Sequence, residues 1–362
     1  MNKSKILHQV LDPSGSGGVS AEYRALSQSL LTDKYEFIPM ILTDFHGGLS
    51  FSDIRFYYRR IKETSPDIIH IRGAAIDGLN AVIAAKLAHK GRILVSVHGM
   101  YSDLVYISSV KRFISKHIIE KLIYSLADGI SCVCRAAQDR PYFDRWRKKK
   151  LPFVYNRMPR FDLSLAAENR KAVREEFDIP EDAVIGLYVG RITREKGLDV
   201  LADALRSYAD RLPRGFVMMI VGEGDHLCRL KEAAEDIPVR FVFTGDRRDA
   251  ERFYEAADLF IQPSLHENHS IALLEACAAE LPAVAADCGG NAEIVAHGVT
   301  GIVVPVADVT ELGESIVKMC DADTRAGFRE NIRREPYTRF SDEAVDKALD
   351  TVYTLLRGEQ VE

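Results

Sequence analysis

The chain has 362 residues, 47% of them hydrophobic and 28% charged. That length and balance exclude a disordered or fibrous chain and exceed one ordinary core, so two soluble domains are expected. The net charge of −5 is unevenly divided: residues 1–165 hold 25 Lys/Arg and 15 Asp/Glu (+10), and the remainder holds 23 and 38 (−15), which points to an acidic partner for the first half. No apolar run of about 18 residues and no signal-like start occurs, so a cytoplasmic protein without a membrane span is expected. Cys132, Cys134, Cys228, Cys277, Cys288 and Cys320 lack the spacing of a zinc or disulfide framework.

In chain order, the first half predicts strands over 6–11, 37–42, 68–71, 93–97, 130–133 and 153–155. Helical patterns fall between them, as at 21–31, 79–88 and 114–126. Short apolar strands separated by helices imply a parallel sheet covered on both faces. Gly15-Ser16-Gly17-Gly18 joins the first strand to the first helix. Such a loop lets backbone approach an anion at a helix N-terminus, or is simply a tight turn. It is not Gly-x-Gly-x-x-Gly, so nicotinamide binding is not implied. His98 closes the 93–97 strand, where a lone histidine is structural or functional. Lys111-Arg112-Phe113, Lys116-His117 and Arg145-Trp146-Arg147-Lys148-Lys149-Lys150 mix cations with aromatics. They suit an anionic lipid surface, or are solvated helix faces. Nucleic acid is disfavoured because the other half is acidic and carries no binding motif.

The second half repeats the plan, with a helix at 169–177 and strands over 184–189, 216–221, 239–244, 259–262, 283–286 and 301–304. Two six-stranded units in tandem are expected, with ligands outside the C-terminal strand ends and an active site in the cleft between two facing domains. After the first of these strands comes Gly190-Arg191-Ile192-Thr193-Arg194-Glu195-Lys196-Gly197. Arg191 and Lys196 there suit a diphosphate: planar donors from one, a point charge from the other. Gly222 and Gly245 sit in turns at the next two strand ends. The stretch 258–282 reads as strand, polar loop and helix, with Glu267 in the loop and Glu275 on the helix. Asn268, His269 and Ser270 lie between, and Ser270 is a good N-cap for a helix beginning at Ile271. Apolar residues surround Glu275 on every side of that helix, so a buried carboxylate with a partner is expected. Asp321-Ala322-Asp323 reads as surface. Pro336 ends a helix, and residues 340–356 carry a helical apolar stripe.

The Glu267/Glu275 pair, the following Ala276, Gly289-Gly290-Asn291-Ala292-Glu293-Ile294-Val295 and the Gly-Arg-x4-Lys-Gly stretch together resemble the retaining glycosyltransferases of family 4. The resemblance covers essentially the whole chain. It implies the GT-B fold: an acceptor domain (1–165), a nucleotide-sugar domain (166–338) and a last helix (339–362) crossing back onto the first domain. It implies donor contacts from Gly17, Gly18, Gly222, Gly245, His269, Ser270 and Ile271. It implies diphosphate binding by Arg191 and Lys196, sugar hydroxyls on Glu267, ribose on Glu275, and His98 near the transferred sugar. Many members have Gly-Phe-Gly where this chain has Asn268-His269-Ser270, which leaves the sugar open. A UDP-sugar donor, no metal, a glycan or lipid-linked acceptor and a cytoplasmic enzyme at the inner membrane face are the expectations. The alternatives are a sugar-nucleotide epimerase or hydrolase, or a catalytically silent binding module.

Overall fold

The computed structural model describes residues 3–10, 18–42, 48–104, 106–335 and 337–360. Gly15, Ser16, Gly17 and Pro336, singled out above, lie outside them, as does the last residue of the strand expected at 6–11. The chain forms two compact units, one of Met1–Arg157 with Thr338–Glu362, the other of Met158–Tyr337.

In the first unit β1 (Ser4–Gln9), β2 (Tyr35–Met40), β3 (Ile68–Arg72), β4 (Arg92–Val97) and β5 (Gly129–Cys132) form a parallel sheet in the order β2-β1-β3-β4-β5. Every residue of β3 is buried, as expected when helices cover both faces. The sixth strand expected at 153–155 does not form. Leu151 and Val154 donate backbone hydrogen bonds to Ile130 and Cys132 (2.8 and 2.9 Å). The ladder stops there because the Gln138 side chain takes its next position: Cys132 N–H donates to Gln138 Oε1 (3.1 Å). The carbonyls of Leu151 and Pro152 accept instead from Gln138 Nε2 (2.5 Å) and Ser131 Oγ (2.7 Å). The first helix runs Gly18–Ser27, earlier than its apolar spacing suggests, and a short turn at Leu30–Asp33, capped by Ser29, follows it.

Ser109–Ile114, a wide turn at Ser115–Ile119 and Glu120–Leu126 follow one another with helical dihedrals at each junction. The wide turn carries Ser115 and Glu120, five apart, to the same inner side, where Ser115 Oγ donates to Glu120 Oε1 (3.0 Å). Ser102 donates to the same carboxylate from its N–H and its Oγ (both 2.9 Å). Val110, Phe113, Ile114, Ile118 and Leu122 are left exposed. The expected surface role of Trp146 is corrected. It is 7% exposed, stacks edge-on to Tyr124 at 5.2 Å and donates to Ser125 Oγ (3.3 Å). Lys149 is likewise structural: its Nζ binds the carbonyls of Ser125 and Ala127 (2.6 and 2.7 Å) at the end of the Glu120–Leu126 helix, as cations favour.

The last helix, Asp342–Arg357, starts at Ser341, whose Oγ accepts from Ala344 N–H, and stops at Gly358 with φ +79°. Its Leu349, Val352, Tyr353 and Leu356 pack with Ile6, Leu26, Ile68 and Leu94 of the first unit. Tyr353 OH meets His70 Nδ1 (2.9 Å) and His8 Nε2 (3.3 Å). Buried Arg157 ties the same helix to the Gly18–Ser27 helix, through Asp346 (2.6 Å) and Asp342 (3.5 Å) of the one and Glu22 (3.2 Å) of the other. The break between units therefore falls after Arg157, ahead of the 165/166 boundary read from sequence. Phe161, beyond it, stacks on Tyr254 of the second unit at 5.9 Å.

In the second unit β6 (Ile185–Val189), β7 (Val217–Val221), β8 (Arg240–Gly245), β9 (Leu259–Gln262), β10 (Ala283–Ala286) and β11 (Gly301–Val304) form a parallel sheet ordered β11-β10-β9-β6-β7-β8. Each falls within one residue of its predicted bounds. Counted from β6 the order is 3-2-1-4-5-6, and the direction of winding reverses between β6 and β9.

Removing the guanidinium in Arg157→Ala would strand two buried carboxylates. A loss of about 3–5 kcal/mol is expected, read as an earlier urea transition of the first unit with the second unit's transition unmoved.

Candidate active site

The loops after β6 and β9 lie side by side at the reversal point of the second sheet. Gly197, at φ +67°, makes this contact possible: a Cβ there would stand 2.0 Å from the Pro263 carbonyl oxygen. Glu195 O accepts from Leu265 N–H (2.8 Å) and so fastens the two loops. Lys196 thereby reaches Glu267, with Nζ 2.5 Å from Oε1. Gln262 Nε2 (2.6 Å) and Ser264 Oγ (3.0 Å) donate to the same oxygen. Three donors on one oxygen fix the carboxylate, and Oε2 accepts no hydrogen bond from a described residue.

From the other side the turn after β10 supports this loop. Gly289 has φ +57°, and a Cβ there would stand 2.2 Å from Glu267 O. Gly290 N–H donates to Asn268 O (2.5 Å). Asn268, His269 and Ser270 are buried behind Glu267. Ser270 Oγ caps the Ile271–Ala278 helix by accepting from Leu273 N–H (3.3 Å). The N–H groups of the first turn and the positive end of the helix are directed at this loop.

Arg191 is placed differently from Lys196. Its carbonyl is held by Tyr188 OH (2.8 Å). Its side chain is 76% exposed and only loosely paired with Glu195, at 3.6 Å. It is an exposed cation beside a fixed one. Gly190, Gly222 and Gly245 end β6, β7 and β8 in a row: Gly190 N–H donates to Val221 O (3.0 Å) and Gly222 N–H to Gly245 O (2.8 Å). A Cβ on Gly222 would stand 2.0 Å from Gly190 O. The result is a strip of bare backbone, open to a flat ligand.

Glu275 has the partner expected of a buried carboxylate, but its helix is not buried on every side. The helix is buried on Leu273, Leu274, Ala276 and Cys277, but Ile271, Ala272, Glu275 and Ala278 form a half-exposed face. Glu275 therefore lies on the less buried face of the helix, beside Ala272 and Ala278, and is itself only partly exposed. Tyr254 OH donates to its Oε2 (2.7 Å). Burial raises its pKa, the Tyr254 bond opposes the rise and Glu251 adds to it. His98 belongs to the first unit, at the end of β4, and burial together with Arg72 holds its pKa down to about 3, so the imidazole is neutral at physiological pH. Gly17 lies outside the described residues, and Gly18 opens the Gly18–Ser27 helix. Asp321 N-caps the Ala322–Arg334 helix, accepting from Thr324 N–H (2.8 Å).

This arrangement is a fixed carboxylate beside two cations and a bare strip of backbone, at the ligand-binding edge of a doubly wound sheet. Residues 169–335 match the model of glycosyl transferases group 1, and residues 35–156 match that of glycosyltransferase family 4. The chain belongs to glycosyltransferase family 4. Its two α/β units make the GT-B fold: the crystal structure of Anabaena HepE in complex with UDP-glucose superposes with a TM-score of 0.75 at 19% identity, covering 97% of this chain and 99% of that one. A glycosyltransferase of Methanocaldococcus jannaschii is 26% identical over 80% of this chain and 75% of its own. The Escherichia coli UDP-Gal:alpha-D-GlcNAc-diphosphoundecaprenol alpha-1,3-galactosyltransferase is 23% identical over 87% of this chain and 82% of its own.

Sequence reasoning on this glycosyltransferase missed Gln262, Ser264 and Tyr254. Gln262 and Ser264 were legible in principle: polar residues ending a buried strand next to a candidate carboxylate need a partner. Tyr254 is 21 residues from Glu275 and carried no local signal.

Gly298, also at φ +74°, has nothing within 4 Å of a built Cβ and serves as a control. Gly298→Ala should cost about 1 kcal/mol of backbone strain. Gly197→Ala, which must also displace the Pro263 carbonyl, should cost roughly 3 kcal/mol. Urea midpoints of the two variants compare them directly.

Proposed function

We propose that this glycosyltransferase moves a hexosyl group from a UDP-sugar to a glycan or lipid-linked acceptor with retention of anomeric configuration, in the assembly of a surface polysaccharide or glycoconjugate. The observation that carries the reading is Glu267, fixed through one oxygen by Lys196, Gln262 and Ser264, with its other oxygen left to hydroxyls of the transferred sugar. In this reading Glu275 takes the ribose hydroxyls, and the strip of Gly190, Gly222 and Gly245 takes the base. Lys196, Arg191 and the N–H groups at Ile271 take the diphosphate. The bond from the anomeric carbon to the phosphate oxygen breaks with its electron pair going to the phosphate. The acceptor oxygen enters on the same face, and its proton passes to the departing phosphate. The two cations and the helix end offset the charge that develops there, so no metal is assigned. The GT-B relative crystallised with UDP-glucose and the relative named for UDP-Gal and a diphosphoundecaprenol acceptor favour this donor and this acceptor class over an epimerase or a silent module.

The first unit adds a reason to favour a lipid-linked acceptor. Val110, Phe113, Ile114, Ile118 and Leu122 form one exposed stripe, with Phe113 61% exposed. Lys111, Arg112, Lys116 and His117 are exposed between them, and no acidic residue occurs from 104 to 119. An apolar stripe flanked by cations fits the headgroup boundary of an anionic bilayer. Among the described residues no helix is long and apolar enough to cross a membrane, so the contact would be peripheral.

Incubation with a panel of nucleotide sugars and NMR of the linked product test the transfer: an inverted anomer, or sugar release indifferent to any acceptor, overturns the reading. Glu275→Gln should weaken UDP binding about tenfold, whereas Glu267→Gln should mainly lower turnover; equal loss of UDP affinity in both would contradict the division of roles. Arg191→Ala or Lys196→Ala should cost about 2–4 kcal/mol of transition-state stabilisation, and turnover should persist in excess chelator. Co-sedimentation with phosphatidylglycerol vesicles should be strong at low salt, weaken as salt rises, and collapse in Phe113→Ser/Ile118→Ser. Neutralising Arg147 and Lys148 should change it little. Vesicle binding unaffected by the Phe113/Ile118 pair would remove this stripe from the account.

A further inference from the structure

We propose that Arg72 anchors an oxyanion subsite in the first unit, taking a phosphate or carboxylate group. Assigning that group to the acceptor rests on the glycosyltransferase reading above; the subsite itself does not. Arg72 is the last residue of β3. In the order β2-β1-β3-β4-β5 the winding reverses between β1 and β3, and ligands of open parallel sheets bind outside the strand ends at such a reversal.

The Arg72 side chain is unlike every other buried cation of the unit. The residue is 8% exposed, and its guanidinium makes no hydrogen bond or ion pair with any described residue. A guanidinium carries five N–H donors and does not lose its proton. Burying it without acceptors is costly, so an acceptor is implied.

The neighbours that could serve are committed elsewhere. His70 Nε2 lies 2.6 Å from Ser96 Oγ, and its Nδ1 2.9 Å from Tyr353 OH. Tyr353 OH also meets His8. Glu22, Asp346 and Asp342 all converge on Arg157. Glu22 faces the same recess and its charge attracts that of Arg72, but its Oε1 accepts from Arg157 Nε (3.2 Å) and it makes no hydrogen bond with Arg72. Burial keeps His8, His70 and His98 neutral, with Arg72 reinforcing the effect.

The recess is lined by Arg72, Glu22, Ser96, His98, Tyr155 and Asn156 among others, and measures about 310 Å³ with the solvent at its mouth. Its interior has room for little more than one water-sized sphere. A sugar ring or a base does not fit. One or two oxygens of a tetrahedral or planar oxyanion do, and the planar fork of an arginine matches that geometry.

Calorimetry on the full chain tests this. The protein is first saturated with UDP, so that the Lys196 loop is already occupied. It is then titrated at constant ionic strength with inorganic phosphate in one arm and malonate in the other. One site is expected, and the preferred arm says whether a phosphate or a carboxylate is favoured. Affinity should fall at least tenfold in Arg72→Met and less in Arg72→Lys, with UDP affinity unchanged in both. Uptake of neither anion by the wild-type chain, leaving only a structural water at Arg72, would overturn the subsite. Phosphate or malonate binding as tight in Arg72→Met as in wild type would do the same. Should Arg72→Met fail to fold, undiminished anion affinity in Arg72→Lys would overturn the fork as the anchor. Failure of UDP to bind the wild-type chain would sink the donor assignment alone, because the anion titrations still report on Arg72.

Discussion

The candidate site depends on one close approach of backbone to backbone. Gly197 lies against the Pro263 carbonyl where no Cβ fits. The loop after β6 and the loop after β9 can therefore share hydrogen bonds through Glu195, and a lysine of one can neutralise a glutamate of the other at 2.5 Å. Gly289 closes the same loop from behind by a second close approach. An ion pair at a sheet edge would otherwise lose side-chain entropy for little return. Here the backbone has already ordered both partners, and Gln262 and Ser264 satisfy the carboxylate oxygen that the lysine uses.

The first unit solves a different problem. Its sheet meets the last helix through polar side chains as well as apolar ones. His8, His70, Ser96 and Tyr353 form a hydrogen-bonded layer, and Arg157 gathers three carboxylates beside it. Such a layer is tolerated only when its members are satisfied. Two buried groups here lack a partner among the described residues, His8 Nδ1 and the guanidinium of Arg72; of the two only Arg72 carries a charge, and it stands at the strand ends, where the fold brings ligands.

The two units were not equally legible. Each strand of the second unit was placed within a residue, because four to six apolar residues bounded by glycine, proline or acidic turns leave few alternatives. The same reasoning produced a sixth strand at 153–155 in the first unit, where the Gln138 side chain takes the backbone groups on which the ladder depends. Local composition also misled at Trp146. An aromatic among five cations looks like a surface anchor, yet its ring packs on Tyr124 and Lys149 caps a helix. The exposed stripe of the unit runs instead along 110–122, where a wide helical turn faces Glu120 inward and Phe113 and Ile118 outward.

The sequence by itself determined the α/β class, the two parallel sheets, the second sheet's strand positions, and the residue types of the site: Arg191, Lys196 and Glu267 just after strands, and Glu275 on the helix that follows. These follow from hydrophobic periodicity and from charged residues placed just after apolar runs, both local properties. Only the tertiary structure decided which charges meet. Lys196 pairs with Glu267 while Arg191 stays largely exposed; Glu275 is held by Tyr254 on the less buried face of its helix; Arg157, not a residue near 165, ends the first unit; and Arg72 is buried without a hydrogen-bonding partner among the described residues. Each of these depends on the distance between segments tens or hundreds of residues apart, which is set by sheet order and close packing and leaves no periodic trace in the chain.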